Sequence, residues 1–223
     1  MNRKLIVLFF VVFSFSTLVF AQDKPYDRQK TWDAEINSLL EIDTKQRPPK
    51  NAVMFVGSSS LRMWKTLPAD FPKLEFINRA FGGSEFEDLI YYAPRIVFPY
   101  RPRKIFVYEG DNDINSGKSA ERVLEDFRIF ANMVKEKLPN TKLYFISIKP
   151  SIARIKLWGE MEKANRLIAD EIKTMKNAQY VDVASKMLDE NGKPFPDIFI
   201  TDNLHMNAKG YAIWRDVFKK YVK

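Results

Sequence analysis

Ala52-Val53-Met54-Phe55-Val56 runs without a polar break into Gly57-Ser58-Ser59-Ser60. The apolar run is short, and the breaker Arg47-Pro48-Pro49 precedes it, so it predicts a buried strand that ends in a hydroxyl-rich loop. Four further short apolar runs predict strands over 74–77, 104–108, 143–148 and 180–183. Helical stripes lie between them. Ala120, Val123, Leu124, Phe127, Ala131, Val134 and Leu138 share one face, ended by Pro139-Asn140. Met161, Ala164, Ile168, Ile172 and Met175 form a second stripe. A third comprises Ile213, Trp214, Val217, Phe218 and Tyr221, with Asn207 as its cap. Ser84 followed by Glu87 reads as a capping box that opens another helix, and a helical segment over about 28–42 precedes the first strand. Alternation of strands and helices predicts an α/β fold with a parallel sheet covered on both faces.

Composition narrows the function classes. With 46% hydrophobic and 14% aromatic residues, 8 Gly and 12 Pro among 223, the chain is neither disordered, collagen-like nor low-complexity, and its length suits one domain. Cysteine is absent, which excludes disulfides, thiolate metal sites and a cysteine nucleophile. His205 is the one histidine, so any imidazole chemistry runs through it.

The amino terminus reads as a signal. Asn2-Arg3-Lys4 is a short basic stretch, residues 5–20 are apolar and uncharged, and Val19-Phe20-Ala21 suits a signal peptidase. That run is shorter than the roughly 20 residues a membrane helix needs. The expected organisation is therefore a signal peptide over 1–21 and a single domain over 22–223, exported to the periplasm or medium with no stable membrane span. Losing Arg3 and Lys4 reduces the net charge from +8 to +6. A cluster at Arg95, Arg101, Arg103 and Lys104 reads as solvated surface, and no nucleic-acid-binding motif is present.

In open parallel sheets, ligands sit outside the carboxyl ends of the strands. The segments expected there are Gly57-Ser58-Ser59-Ser60, Asn78-Arg79-Ala80-Phe81-Gly82-Gly83-Ser84, Glu109-Gly110-Asp111-Asn112-Asp113, Lys149-Pro150-Ser151 and Asp202-Asn203-Leu204-His205. Acyl transfer through a hydroxyl needs a base to take its proton, an acid to orient the base, and donors for the oxyanion. Ser59, His205 and Asp202, with donors at Gly83 and Asn112, supply each role once.

These blocks, in this order over residues 53–211, resemble the SGNH (GDSL-type) esterases. The resemblance implies a three-layer α/β/α, flavodoxin-like sandwich with a five-stranded parallel sheet in the order 2-1-3-4-5. It implies Ser59 as nucleophile, His205 as base and Asp202 as its acidic partner. The Ser59 N–H, Gly83 and Asn112 would form the oxyanion hole. Ser58 stands where the family usually has Asp, a residue outside the triad. Aligning Gly57 with the family glycine selects Ser59 over Ser58 and Ser60. Leu61 two residues beyond Ser59 disfavours the Gly-x-Ser-x-Gly elbow of the α/β-hydrolases.

The expected function is an exported serine esterase acting on acetyl or short acyl groups of carbohydrate, with small lipid esters and thioesters as other candidates. No cofactor or metal is expected, and the sequence does not set the oligomeric state. Arg62, Lys149, Arg154 and Trp158, together with Trp64, lie near the expected edge as candidate substrate-lining residues. One alternative is a metal-dependent hydrolase using Glu109, Asp111, Asp113, Asp202 and His205. A second is a non-catalytic flavodoxin-like protein that binds phosphate, flavin or sugar.

Overall fold

The structure, a computed structural model, describes residues 29–222. The expected signal over 1–21 lies outside the described residues. In chain order the elements are α1 (Gln29–Lys45), β1 (Val53–Gly57), α2 (Ser59–Arg62), α3 (Leu67–Asp70), β2 (Phe76–Asn78) and α4 (Phe86–Ile96). There follow β3 (Lys104–Tyr108), α5 (Asp111–Asn115), α6 (Ala120–Lys137), β4 (Lys142–Ile146), α7 (Trp158–Lys173), β5 (Ala178–Val181) and α8 (Ala208–Phe218). The strands form one five-stranded sheet in the order β2-β1-β3-β4-β5, with every neighbouring pair parallel.

Alternation of side chains along each strand divides the core into two layers. Met54, Val56, Ile105, Val107, Leu143 and Phe145 face α1, α4, α6 and α7. Val53, Phe55, Phe106, Tyr108, Tyr144 and Ile146 face the α2–α3 segment and α8. The second layer is aromatic: Trp64 stacks on Tyr211 and meets Trp214 and Phe218 edge-on, with ring centroids 5.7, 5.8 and 5.2 Å away. Apolar burial of that kind is the main driving force for joining segments so distant in the chain. No described helix is long and apolar enough to cross a membrane.

The helix after β2 departs from the expected cap. Ser84 is fully buried, and its hydroxyl donates to Glu109 Oε1 at 2.6 Å instead of opening the helix. Glu85 takes the cap position, its N–H donating to Asp88 Oδ2 at 2.8 Å.

Candidate active site

The turn out of β1 is tight. Gly57 has φ +124°, and a Cβ there would fall 2.1 Å from the Tyr108 carbonyl oxygen, so only glycine lets β1 end against β3. The Ser58 N–H donates to that same oxygen at 3.0 Å, and the Ser58 carbonyl accepts from Leu61 and Arg62 at 3.1 and 3.2 Å. These bonds are all main-chain, so the turn holds with serine at position 58. Ser58 and Ser60 are 2% and 3% exposed, whereas Ser59 is half-buried at the start of α2. Of the three hydroxyls, that of Ser59 reaches the imidazole.

His205 arrives from the far end of the chain because α8 packs on the same sheet face as α2. The Tyr211 hydroxyl ties the two together by donating to the Ser60 carbonyl at 2.9 Å. Upstream of α8, Phe199 and Met206 form an antiparallel bridge and the Ile200 N–H donates to the His205 carbonyl, closing a short loop that presents Asp202 and His205. Asn207 caps α8 as expected, accepting from Lys209 N–H at 2.9 Å.

His205 Nε2 lies 2.9 Å from Ser59 Oγ, and Nδ1 lies 2.6 Å from Asp202 Oδ2. An ionised carboxylate can only accept, so the proton sits on Nδ1 and Nε2 is left to accept from the serine hydroxyl. Asp202 is ionised: burial pushes its carboxyl up, but hydrogen bonds from the His205 ring and from the His205 and Leu204 N–H groups outweigh that and hold it at about 2. Those two N–H groups each donate to Asp202 Oδ1 at 2.9 Å.

The loops after β2 and β3 follow the two strands that flank β1. Gly83 is exposed, and among the described residues the structure gives neither its N–H nor that of Ser59 a partner, as expected at a helix start for the latter. Asn112 Nδ2 donates one hydrogen to the Ser84 carbonyl at 2.8 Å, and its Oδ1 accepts from both Nη atoms of Arg154 at 3.1 Å. Oxyanion-type stabilisation requires preorganised N–H donors of this kind.

The candidate lining residues divide. Lys149 is 1% exposed and spent internally: its ammonium donates to the Leu204 carbonyl at 2.9 Å and pairs with Asp111 Oδ2 at 3.4 Å, so it is not a pocket wall. Arg154 is mostly buried between Asp111 and Asn112. Trp64 belongs to the core, and Trp158 packs half-buried against the other layer. Arg62 pairs with Glu35 of α1 at 3.3 Å. The acids proposed as metal ligands are also turned to protein partners: Glu109 to Ser84, Asp111 to Lys149 and Arg154, and Asp113 to the Phe86 and Gly110 N–H groups and Lys118. Among the described residues no three His, Asp or Glu side chains are grouped to hold a metal.

Sequence reading missed two contributors, Trp32 and Glu35, and gave a third, Glu109, only as a candidate metal ligand. Trp32 of α1 lies against Gly83, its ring 3.4 Å from where a Cβ would stand, and Glu35 accepts from the Gly82 N–H. Glu109 is fully buried; burial first, then the neighbouring Asp113, pushes its carboxyl well above the usual range. It joins the Gly83 loop to the Asn112 loop through Ser84. The sequence reading had α1 only as a helical segment before the first strand, with none of its residues placed at this edge.

Comparison with known proteins bears on the family and the fold. The model of the GDSL-like Lipase/Acylhydrolase family matches residues 54–213. A platelet-activating factor acetylhydrolase IB subunit alpha1 of Pongo abelii is 23% identical over 179 residues, covering 76% of this chain and 74% of that protein. In fold, a GDSL-like lipase from Bacteroides thetaiotaomicron superposes with a TM-score of 0.71 at 19% identity, over 85% of this chain and 97% of that one. A mutant of an acetyl-xylooligosaccharide esterase from Geobacillus gives a TM-score of 0.64 at 14% identity, over 79% and 96%.

Proposed function

We propose that this chain, which belongs to the GDSL-like lipase/acylhydrolase family, is a serine ester hydrolase with Ser59 as nucleophile, His205 as base and Asp202 as the group that orients it. The carrying observation is the continuous line from Ser59 Oγ through both ring nitrogens of His205 to Asp202, at 2.9 and 2.6 Å. In the first step Oγ attacks the ester carbonyl carbon while its proton passes to Nε2. The oxyanion is met by the Ser59 and Gly83 N–H groups and by the second Nδ2 hydrogen of Asn112. Collapse expels the alcohol, protonated from Nε2. Water then gives a proton to Nε2 and attacks the acyl carbon; the acid leaves and Ser59 regains its proton.

The substrate assigned here is an acetyl or short acyl ester on carbohydrate. Its support is the likeness in fold to an acetyl-xylooligosaccharide esterase and the half-exposed position of Ser59. Residues 1–21 are assigned as an export signal on the pattern of charge followed by an apolar run. A phosphate- or flavin-binding role is less well supported, because the Ser59 hydroxyl is already committed to an imidazole. The test is a panel of acetylated sugars and short- and long-chain acyl esters, run with the parent and Ser59→Ala. Turnover of acetylated sugars by the parent alone is expected; turnover by Ser59→Ala near the parental rate contradicts the assignment.

A further inference from the structure

Asp111, Lys149 and Arg154 form a buried charge cluster that the reaction itself does not use. Asp111 Oδ1 accepts from Arg154 Nη1 at 2.5 Å, and Oδ2 faces Lys149 Nζ at 3.4 Å and accepts from the Tyr108 hydroxyl at 3.1 Å. Each cation has a second contact, one on the loop that carries His205 and one on Asn112. Lys149 reaches the Leu204 carbonyl, adjacent to His205. Arg154 places two N–H groups on Asn112 Oδ1.

A carboxamide is planar, so holding its oxygen and one N–H fixes where its other N–H points. Arg154 and the Ser84 carbonyl do this for Asn112. Rotating the amide by half a turn would set its NH2 group against the guanidinium donors and lose both bonds. Resting on the serine-hydrolase reading, we propose that Asp111, Lys149 and Arg154 are positioning residues that hold the His205 loop and the Asn112 amide in one frame. Outer groups that orient reacting ones commonly cost 10–100-fold when removed, as documented for metal sites. Lysine keeps a charge for Asp111 but has no planar fork for Asn112.

The test is steady-state kinetics on a short-chain aryl ester with Arg154→Lys, Asn112→Ala, the double variant and Ser59→Ala, with thermal melts of each. Arg154→Lys is expected to lower kcat by roughly 10–100-fold, the range set by orienting groups, with KM within about 3-fold and the melt close to the parent. In the Asn112→Ala background the same change is expected to cost less than about 2-fold, because its target is gone. Three results overturn the proposal: parental kcat in Arg154→Lys, a loss confined to KM (which would put Arg154 on the substrate), or a full extra loss in the double variant. Lys149→Met gives a second, independent reading, with a fall in kcat expected and an unchanged kcat at parental stability contradictory. If Ser59→Ala stays active, the serine reading falls and takes this proposal with it. If Ser59→Ala is dead and Arg154→Lys is parental, only the positioning role fails.

Discussion

The Ser59–His205–Asp202 line and the Asp111–Lys149–Arg154 cluster sit on the same sheet edge and are built in opposite ways. The first is half-exposed, its Ser59 hydroxyl and His205 ring make few bonds, and it joins residues 146 positions apart in the chain. The second is buried, densely bonded, and drawn from loops after adjacent strands β3 and β4. Reacting groups must be reached by substrate and must change protonation state, so they can carry few fixed contacts. Geometry is therefore held by groups one layer beneath, where charges are desolvated and removing one partner leaves the other uncompensated.

This contrast makes graded predictions. Ser59→Ala should lower kcat by about 10⁴–10⁶ with no loss of melting temperature, a drop of the size seen when one member of such a unit is removed; a large loss of stability would mean that the hydroxyl is structural. Asp202→Asn should lower kcat by about 10²–10⁴ by favouring the wrong imidazole tautomer. Asn112→Ala should cost about 10²–10³ in kcat, the range for one oxyanion donor.

A pH titration separates the partners. Because the folded-state Asp202 carboxyl is depressed to about 2, its contribution to stability is present above the ordinary carboxyl range and is lost as the pH falls toward 2. The carboxylate thus stays charged through mildly acidic conditions. Circular dichroism should show the fold intact through that range, with acid unfolding setting in only at a lower pH than any loss of activity. Coincident loss of activity and structure would contradict that ordering. Arg62→Ala should have the smallest effect, less than about 1 kcal/mol in denaturant titration, as expected for an exposed ion pair.

Much of the fold was legible in the sequence, for local reasons. β3 is as expected over Lys104–Tyr108, and the central strands read as uninterrupted apolar runs that end in polar loops. Where boundaries moved, tertiary partners intervened. β4 stops at Ile146 because the Ser147 hydroxyl accepts from the Val183 and Ala184 N–H groups, and because the Asn165 carboxamide pairs with both main-chain groups of Ile148. The same contacts turn Val183 out of β5, which runs over Ala178–Val181. Ser84 was misread as a cap because nothing local announces that Glu109 is buried beside it.

The site shows the same division. Ser59, Asp202 and His205 could be singled out because each stands in a loop expected after a strand and each is of a type that the chemistry needs. Lys149 and Arg154 were expected at that edge as substrate-lining residues, and the structure gives both protein partners. Their partners, the Leu204 carbonyl and the Asn112 amide, come from other loops and have no spacing signature. Sequence pattern reports which loops meet at an edge; it does not report which side chains turn inward once they meet.

The most direct test of the central claim is peptide mapping by mass spectrometry after treatment with an organophosphonate ester. The account predicts a single adduct on Ser59, formed in the parent and in neither Ser59→Ala nor, at a comparable rate, His205→Ala. An adduct on Ser58 or Ser60, or undiminished labelling without the imidazole, would contradict it.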